Sequence, residues 1–68
     1  MKNFRLYAES KGWEYIITTN ELTKAQSKAK NLNPDKYYSY MIIEHDTDKD
    51  VDNPIELGKL DIKKKNIV

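Results

Sequence analysis

The sequence predicts an α+β fold: an antiparallel sheet of four to five strands curled around one helix, in the order ββαββ or ββαβββ. Three observations predict it. Residues 3–9 alternate with period 2. Two further runs, Trp13-Glu14-Tyr15-Ile16-Ile17 and Tyr37-Tyr38-Ser39-Tyr40-Met41-Ile42-Ile43, carry aromatic and aliphatic side chains at both parities, as a strand apolar on both faces does. Between them lies one amphipathic stretch, starting near Glu21, with apolar residues at helical spacing. One helix can cover one face of a small sheet. The other face must meet water, a second copy or a partner, and this surplus points to a binding protein rather than an enzyme.

Each element has its own signal. In the first strand, Phe4, Leu6 and Ala8 point one way and Arg5, Tyr7 and Glu9 the other. Ser10-Lys11-Gly12 follows, and a glycine with positive φ at Gly12 would suit a tight hairpin with a glycine bulge. Residues 13–18 form the return strand. Thr18 with Glu21 three residues later matches a capping box, and Thr19 or Asn20 is an alternative cap. The helix then runs to about Leu32, with Leu22, Ala25, Ala29 and Leu32 on one stripe and Lys24, Lys28 and Lys30 on its wet flanks. Pro34 ends it, because proline disfavours helical geometry at Asn33. Residues 37–44 form a third, central strand, 45–54 an acidic loop, and 55–62 a fourth strand whose apolar parity breaks at Gly58, where a β-bulge or a split into two strands would restore register. The expected core is Leu6, Tyr15, Ile17, Leu22, Ala25, Ala29, Leu32, Met41, Ile43 and Leu57, with Trp13 largely buried.

Size sharpens the question of the second face. The 68 residues make one domain, 1–68. A chain this short buries only about 60% of its unfolded surface and is marginal without a staple. There is no cysteine and a single histidine, which removes disulfides and leaves little for a metal, so a homodimer is the remaining staple. The net charge of +1 lacks the basic excess of a dedicated duplex-DNA binder. No apolar run of about 18 residues occurs, and Met1-Lys2-Asn3-Phe4-Arg5 has no signal-peptide apolar region, so the expected location is the cytoplasm of a bacterial host cell, with no membrane role. The Lys-, Asn- and Ile-rich composition resembles that of AT-rich bacterial or phage genomes.

Candidate chemistry is sparse. Asp46-x-Asp48-x-Asp50 looks like the opening of a calcium loop, yet the sixth position is Val51 rather than glycine and the twelfth Leu57 rather than a bidentate Glu. A solvated hairpin tip is the plainer reading; an acidic surface that occupies a nucleic-acid groove in a partner is the third. His45 lies beside Glu44 and Asp46 but has no nucleophile in view, and an exposed strand-end histidine is expected. No catalytic constellation, metal site or cofactor site is assigned. The aromatics Phe4, Tyr7, Trp13, Tyr15, Tyr37, Tyr38 and Tyr40 could stack on single-stranded bases, but few basic residues interleave with them, so core and protein interface account for them better.

The strand ending Ile17-Thr18-Thr19, the helix Glu21-Leu22-Thr23-Lys24-Ala25-Gln26-Ser27-Lys28-Ala29-Lys30 and the aliphatic strand Met41-Ile42-Ile43 together resemble the small single-domain anti-CRISPR inhibitors of phages, in particular a type I-F inhibitor with a curled sheet around one helix. The resemblance covers about half of the chain as layout, without a diagnostic motif, and no contact residue is carried over from it. It implies a protein that binds a CRISPR surveillance complex and blocks DNA access. A second resemblance is to the arm-type DNA-binding domains of integrases, which carry a third strand before the helix and a stronger positive charge, both missing here.

The functional expectation is a non-catalytic inhibitor or adaptor, encoded by a phage or mobile element, that binds a host protein or nucleoprotein complex such as a CRISPR effector. Its contact residues are expected to be Tyr7, Tyr38 and Tyr40 on the exposed sheet face, Lys24 and Lys28 on the helix, and Asp46, Asp48 and Asp50 in the acidic loop. The alternative is a small nucleic-acid-binding module using Arg5, Lys24, Lys28, Lys63, Lys64 and Lys65.

Overall fold

The computed structural model describes residues 1–60 and contains a four-stranded antiparallel sheet with one helix, in the order ββαββ. Strands β1 (Lys2–Glu9) and β2 (Trp13–Thr19) form a hairpin, helix α1 spans Leu22–Lys30, and strands β3 (Ser39–Asp46) and β4 (Val51–Lys59) form a second hairpin. The sheet order is β2-β1-β3-β4. β1 pairs antiparallel with both β2 and β3, so β2 and β3 run parallel with β1 between them, and α1 bridges the gap as a crossover. The two runs from which the fold was read thus divide: the third strand is central, as its apolar faces require, whereas the second is an edge.

One face of the sheet holds the core. Leu6 stands opposite Ile17 on one side and Ile42 on the other, and Ala8 stands opposite Tyr40. Leu6 and Ile42 are fully buried in one cluster with Ala25 and Ala29 of α1, and Ala8 is buried on the same face of the sheet. Two alanines at i and i+4 give the helix a stripe without bulk, so its backbone can lie close to the sheet, and Phe4, Ile16, Ile17, Leu22, Leu32 and Tyr40 close the edges of the cluster. Because α1 lies over β1, β2 and β3 but not over β4, the outer strand depends on its ladder to β3 and on polar bonds. Gln26 Nε2 donates to Glu56 Oε1 (2.7 Å), and the Tyr40 hydroxyl donates to Glu56 Oε2 (2.5 Å), tying β4 to the helix and to β3.

Several expectations are corrected. The helix starts at Leu22 and ends at Lys30; Glu21 is its N-cap residue in an extended conformation, and no side chain caps it. Thr19 Oγ1 instead donates to the Glu21 carbonyl, and Asn31 Nδ2 donates to the Ser27 carbonyl at the other end. β3 begins at Ser39, and the acidic loop is only the four-residue turn 47–50, since β3 reaches Asp46 and β4 starts at Val51. The positive-φ residue is Asp50 (φ 54°) in that turn; Gly12 has no positive φ. The parity break in β4 is real but falls earlier: Ile42 pairs with Glu56 and Ile43 with Pro54, leaving Ile55 as the bulge. Gly58 is instead a site of close approach, because a Cβ there would collide with the Tyr40 ring. Ile62 and the tail Lys63, Lys64 and Lys65 lie outside the described residues.

The core differs from the expected one in register and in the choice of face. Leu6 pairs with Ile17 but Tyr7 pairs with Tyr15, so Ile16 is a second bulge and Tyr15 and Ile17 point to opposite faces. In β3 the buried parity is that of Tyr40 and Ile42, not of Met41 and Ile43. Tyr15, Trp13 and Leu57, expected inside, are exposed.

Candidate partner-binding face

Register places four side chains in one row across the uncovered face: Tyr15 of β2 opposite Tyr7 of β1, Tyr7 opposite Met41 of β3, and Met41 opposite Leu57 of β4. Side chains of cross-strand pairs share a face, so the row is continuous from one edge to the other. It follows from the odd parity of β1 and β3 together with the two bulges, which turn Tyr15 and Leu57 onto the same side. Flanking it on one side is Thr18-Arg5-Ile43-Pro54, and on the other Trp13-Glu9-Ser39-Lys59. Leu57 is 71% exposed, Tyr15 58% and Trp13 45%. The Tyr7 and Tyr15 rings meet edge to face at 5.9 Å, a packing that fixes both aromatics on the surface. The Tyr15 hydroxyl shares a 2.8 Å hydrogen bond with Thr18 Oγ1, so its polar end is directed along β2 rather than into solvent at random.

A groove of ≈ 550 Å³ opens at one end of this face, lined by Glu9, Trp13, Tyr38, Ser39, Leu57, Gly58, Lys59 and Leu60. Trp13, Tyr38, Leu57 and Leu60 make its lining mainly apolar, with Glu9 and Lys59 supplying one charge of each sign. Glu9 Oε1 accepts from Ser39 Oγ at 2.7 Å. The Tyr38 hydroxyl donates to the Ser10 carbonyl, which anchors the segment before β3 to the first hairpin.

The opposite end of the face is polar. His45 stands between Asn3 and Asp52 in register. Its side chain is 14% exposed, with Nδ1 2.5 Å from Asp52 Oδ1 and Nε2 3.8 Å from Asp50 Oδ1, so it clamps the second hairpin rather than standing free at a strand end. Asn3 Oδ1 is buried without a hydrogen-bond partner among the described residues.

The residues singled out from the sequence do not converge. Tyr7 lies at the centre of the open face and Tyr38 lines its groove. Tyr40 is on the helix side, packed against the core across from Gly58; its bond to Glu56, partial burial and the carboxylate charge push its phenol up to about 12, while Tyr40 and Gln26 hold Glu56 below its ordinary value. Lys24 and Lys28 are exposed on α1, the layer opposite Tyr7. Arg5 is on the open face, so the described members of the basic set are split between two layers. Asp46, Asp48 and Asp50 gather at the tip of the second hairpin. Asp46 turns inward: desolvation raises its carboxyl, but the Asp48 and Lys49 N–H groups bonded to Oδ1 outweigh that and hold it below the ordinary value. Among the described residues no group of three or more His, Cys, Asp or Glu is arranged to hold a metal ion, and no helix is long and apolar enough to cross a membrane.

Beside the first turn, Glu14 accepts from the Tyr37 hydroxyl at 2.9 Å and from Ser10 Oγ at 3.0 Å, with Lys36 Nζ at 3.9 Å. The bonds from Tyr37 and Ser10 lower the Glu14 carboxyl, and the Tyr37 hydroxyl, followed by the Glu14 charge, raises the Lys36 amine. The cluster is an exposed strap that fastens the segment before β3 onto β2. Trp13, Tyr15, Met41, Ile43 and Leu57 were missed as surface residues. The alternation around Tyr7 located the face in β1, but only the positions of the two bulges extend it across the sheet.

No protein-family model matches this chain, and no curated protein or solved structure matches it.

Proposed function

We propose that this chain is a non-catalytic binding protein, encoded by a phage or mobile element, that works in a bacterial cytoplasm by occupying a surface of a host protein or nucleoprotein complex. The single observation that carries the reading is the continuous Tyr15-Tyr7-Met41-Leu57 row, bordered by Trp13, on a sheet face that no helix or strand among the described residues covers. Contiguous aromatic and aliphatic surface with few charges is the composition of an interface centre, where a few large side chains supply most of the binding energy. The resemblance of the sequence pattern to anti-CRISPR inhibitors makes a CRISPR effector the first target to try. Where no target is present, a homodimer would close the same face.

The test is direct. The chain is titrated into a panel of purified CRISPR surveillance complexes before target DNA, and DNA binding is followed by mobility shift. One complex is expected to lose DNA binding, and Leu57→Glu is expected to lose that inhibition. If every complex binds DNA normally, CRISPR effectors are removed as targets.

The nucleic-acid alternative is supported only by the aromatics of the open face with Arg5 among them. It predicts a mobility shift of single-stranded DNA or RNA that weakens steeply with salt. No shift at low salt sinks it.

A further inference from the structure

The edges and the open face of this sheet are unequal surfaces for a second copy. β2 is bulged at Ile16, and β4 is bulged at Ile55 beside Pro54, which has no N–H to donate. Bulges and prolines on edge strands twist the ladder away and remove the donors that strand-to-strand pairing needs. The open face carries no such obstacle, and a chain of this size gains stability by closing it.

Charge gives the geometry. On β1, the strand at the centre of the face, Arg5 and Glu9 flank Tyr7, each two residues away and on the same side of the sheet. Arg5 makes no ion pair among the described residues. Glu9 uses one oxygen on Ser39. Consider a twofold axis lying between two facing sheets, perpendicular to β1 and passing over Tyr7. It brings Glu9 of one copy over Arg5 of the other, and Arg5 over Glu9, so that the two pairs form together. An isologous contact requires this kind of self-complementarity.

We infer that two copies of this chain pair sheet on sheet about that axis, with the Tyr15-Tyr7-Met41-Leu57 rows packed against each other and an Arg5–Glu9 ion pair on each side. Facing sheets lie about 10 Å apart, a gap that an arginine and a glutamate together span. Trp13 of each copy falls over Thr18 of the other, which takes its ring out of water. Lys59 falls opposite Pro54 at the rim, where its ammonium stays solvated along an apolar stem. Asp52 remains on His45. The pairing rests on the same exposed face as the proposed function, so a target and a second copy exclude each other.

Sedimentation equilibrium of the full chain, without any target, tests this. The mass is expected to rise with concentration toward twice the 8.0 kDa of one chain. Arg5→Glu places Glu opposite Glu, and Glu9→Arg places Arg opposite Arg, so each is expected to weaken the dimer by at least about tenfold. The double variant Arg5→Glu/Glu9→Arg restores both pairs and is expected to return to within about threefold of the natural chain. Circular dichroism confirms that all three fold. A monomer at every concentration overturns the inference, as does a dimer indifferent to the single swaps or one weakened further by the double swap. Each of these three results leaves the target reading standing. That reading falls instead if Leu57→Glu still inhibits the complex that the natural chain inhibits.

Discussion

The two faces of this sheet carry similar side chains to different ends. Beneath the helix, Leu6 and Ile42 are sealed by Ala25 and Ala29. On the other side, Tyr7, Met41 and Ile43 come from the same two central strands, with Tyr15 and Leu57 at the edges, and no helix or strand among the described residues covers them. The difference is not composition but coverage: among the described residues, one helix of nine residues lies over three strands on one side and no element lies over the other. Apolar area sealed within the chain contributes to folding, whereas apolar area left in water contributes only when something binds. The comparison therefore assigns stability to one face and association to the other, and each assignment can be broken separately.

The largest effect is expected from the sealed face. Ile42→Ala or Leu6→Ala removes a fully buried side chain under the helix and is expected to cost about 2–5 kcal/mol, enough to unfold much of so small a domain. Leu57→Ala, in the same sheet but exposed, is expected to stay within about 0.5 kcal/mol. Urea denaturation of the three variants in dilute solution reads both values. Equal losses would erase the distinction between the faces.

A smaller effect sharpens where the sealed face ends. At β4 the helix no longer covers the sheet, and the Tyr40 ring lies over Gly58 instead. A methyl at Gly58 requires the ring to move away from Glu56, so Gly58→Ala is expected to cost about 1–3 kcal/mol through overpacking and the weakened hydrogen bond. Thermal melts check it. An unchanged melting temperature would show that the ring does not rest there.

The third prediction is a pH dependence. The Tyr40 phenol is raised to about 12 in the fold, from an ordinary 10.0. A raised value means that the folded state holds its proton more tightly, so this contribution is full below pH 10 and is lost as pH rises through about 12. Glu56 is lowered, so its contribution is present above its ordinary value of 4.5 and is lost as pH falls through its folded value. Ultraviolet titration of the tyrosines is expected to show one phenol lagging the others, and Glu56→Gln is expected to bring it back toward 10. A lag that survives Glu56→Gln would assign it to burial alone.

Much of the architecture was legible in the residues because periodicity reports it. The alternation of 3–9 located β1 and both of its faces, and the Ala25, Ala29 stripe located the helix and the side it buries. What periodicity could not report is an inserted residue. Bulges at Ile16 and Ile55 carry no glycine and no other local signature, and each reverses the parity of everything beyond it. That is why Tyr15 and Leu57 were expected inside and lie outside, while Gly58, which does look like a bulge, serves only to admit an aromatic ring. In β3, apolar residues at both parities left no pattern to choose Ile42 over Met41 and Ile43; the partner strands made the choice. The candidate site was legible in outline, as a surplus apolar face, but only Tyr7 and Tyr38 among the expected contacts lie at it. The lysines of α1 and the aspartates of the hairpin tip were picked out by charge, and charge alone does not say which surface a side chain shares.

The most direct test of the central claim, that the open face and not the helix surface makes the contact, is capture of partners by tagged chain from nuclease-treated host lysate, run in parallel with Leu57→Glu and with Lys24→Glu/Lys28→Glu, all three verified as folded by circular dichroism. The predicted result is a stoichiometric protein partner retained by the natural chain and by the helix variant but lost with Leu57→Glu. Retention by Leu57→Glu, with loss in the helix variant, would contradict the account and move the contact to the opposite side of the molecule.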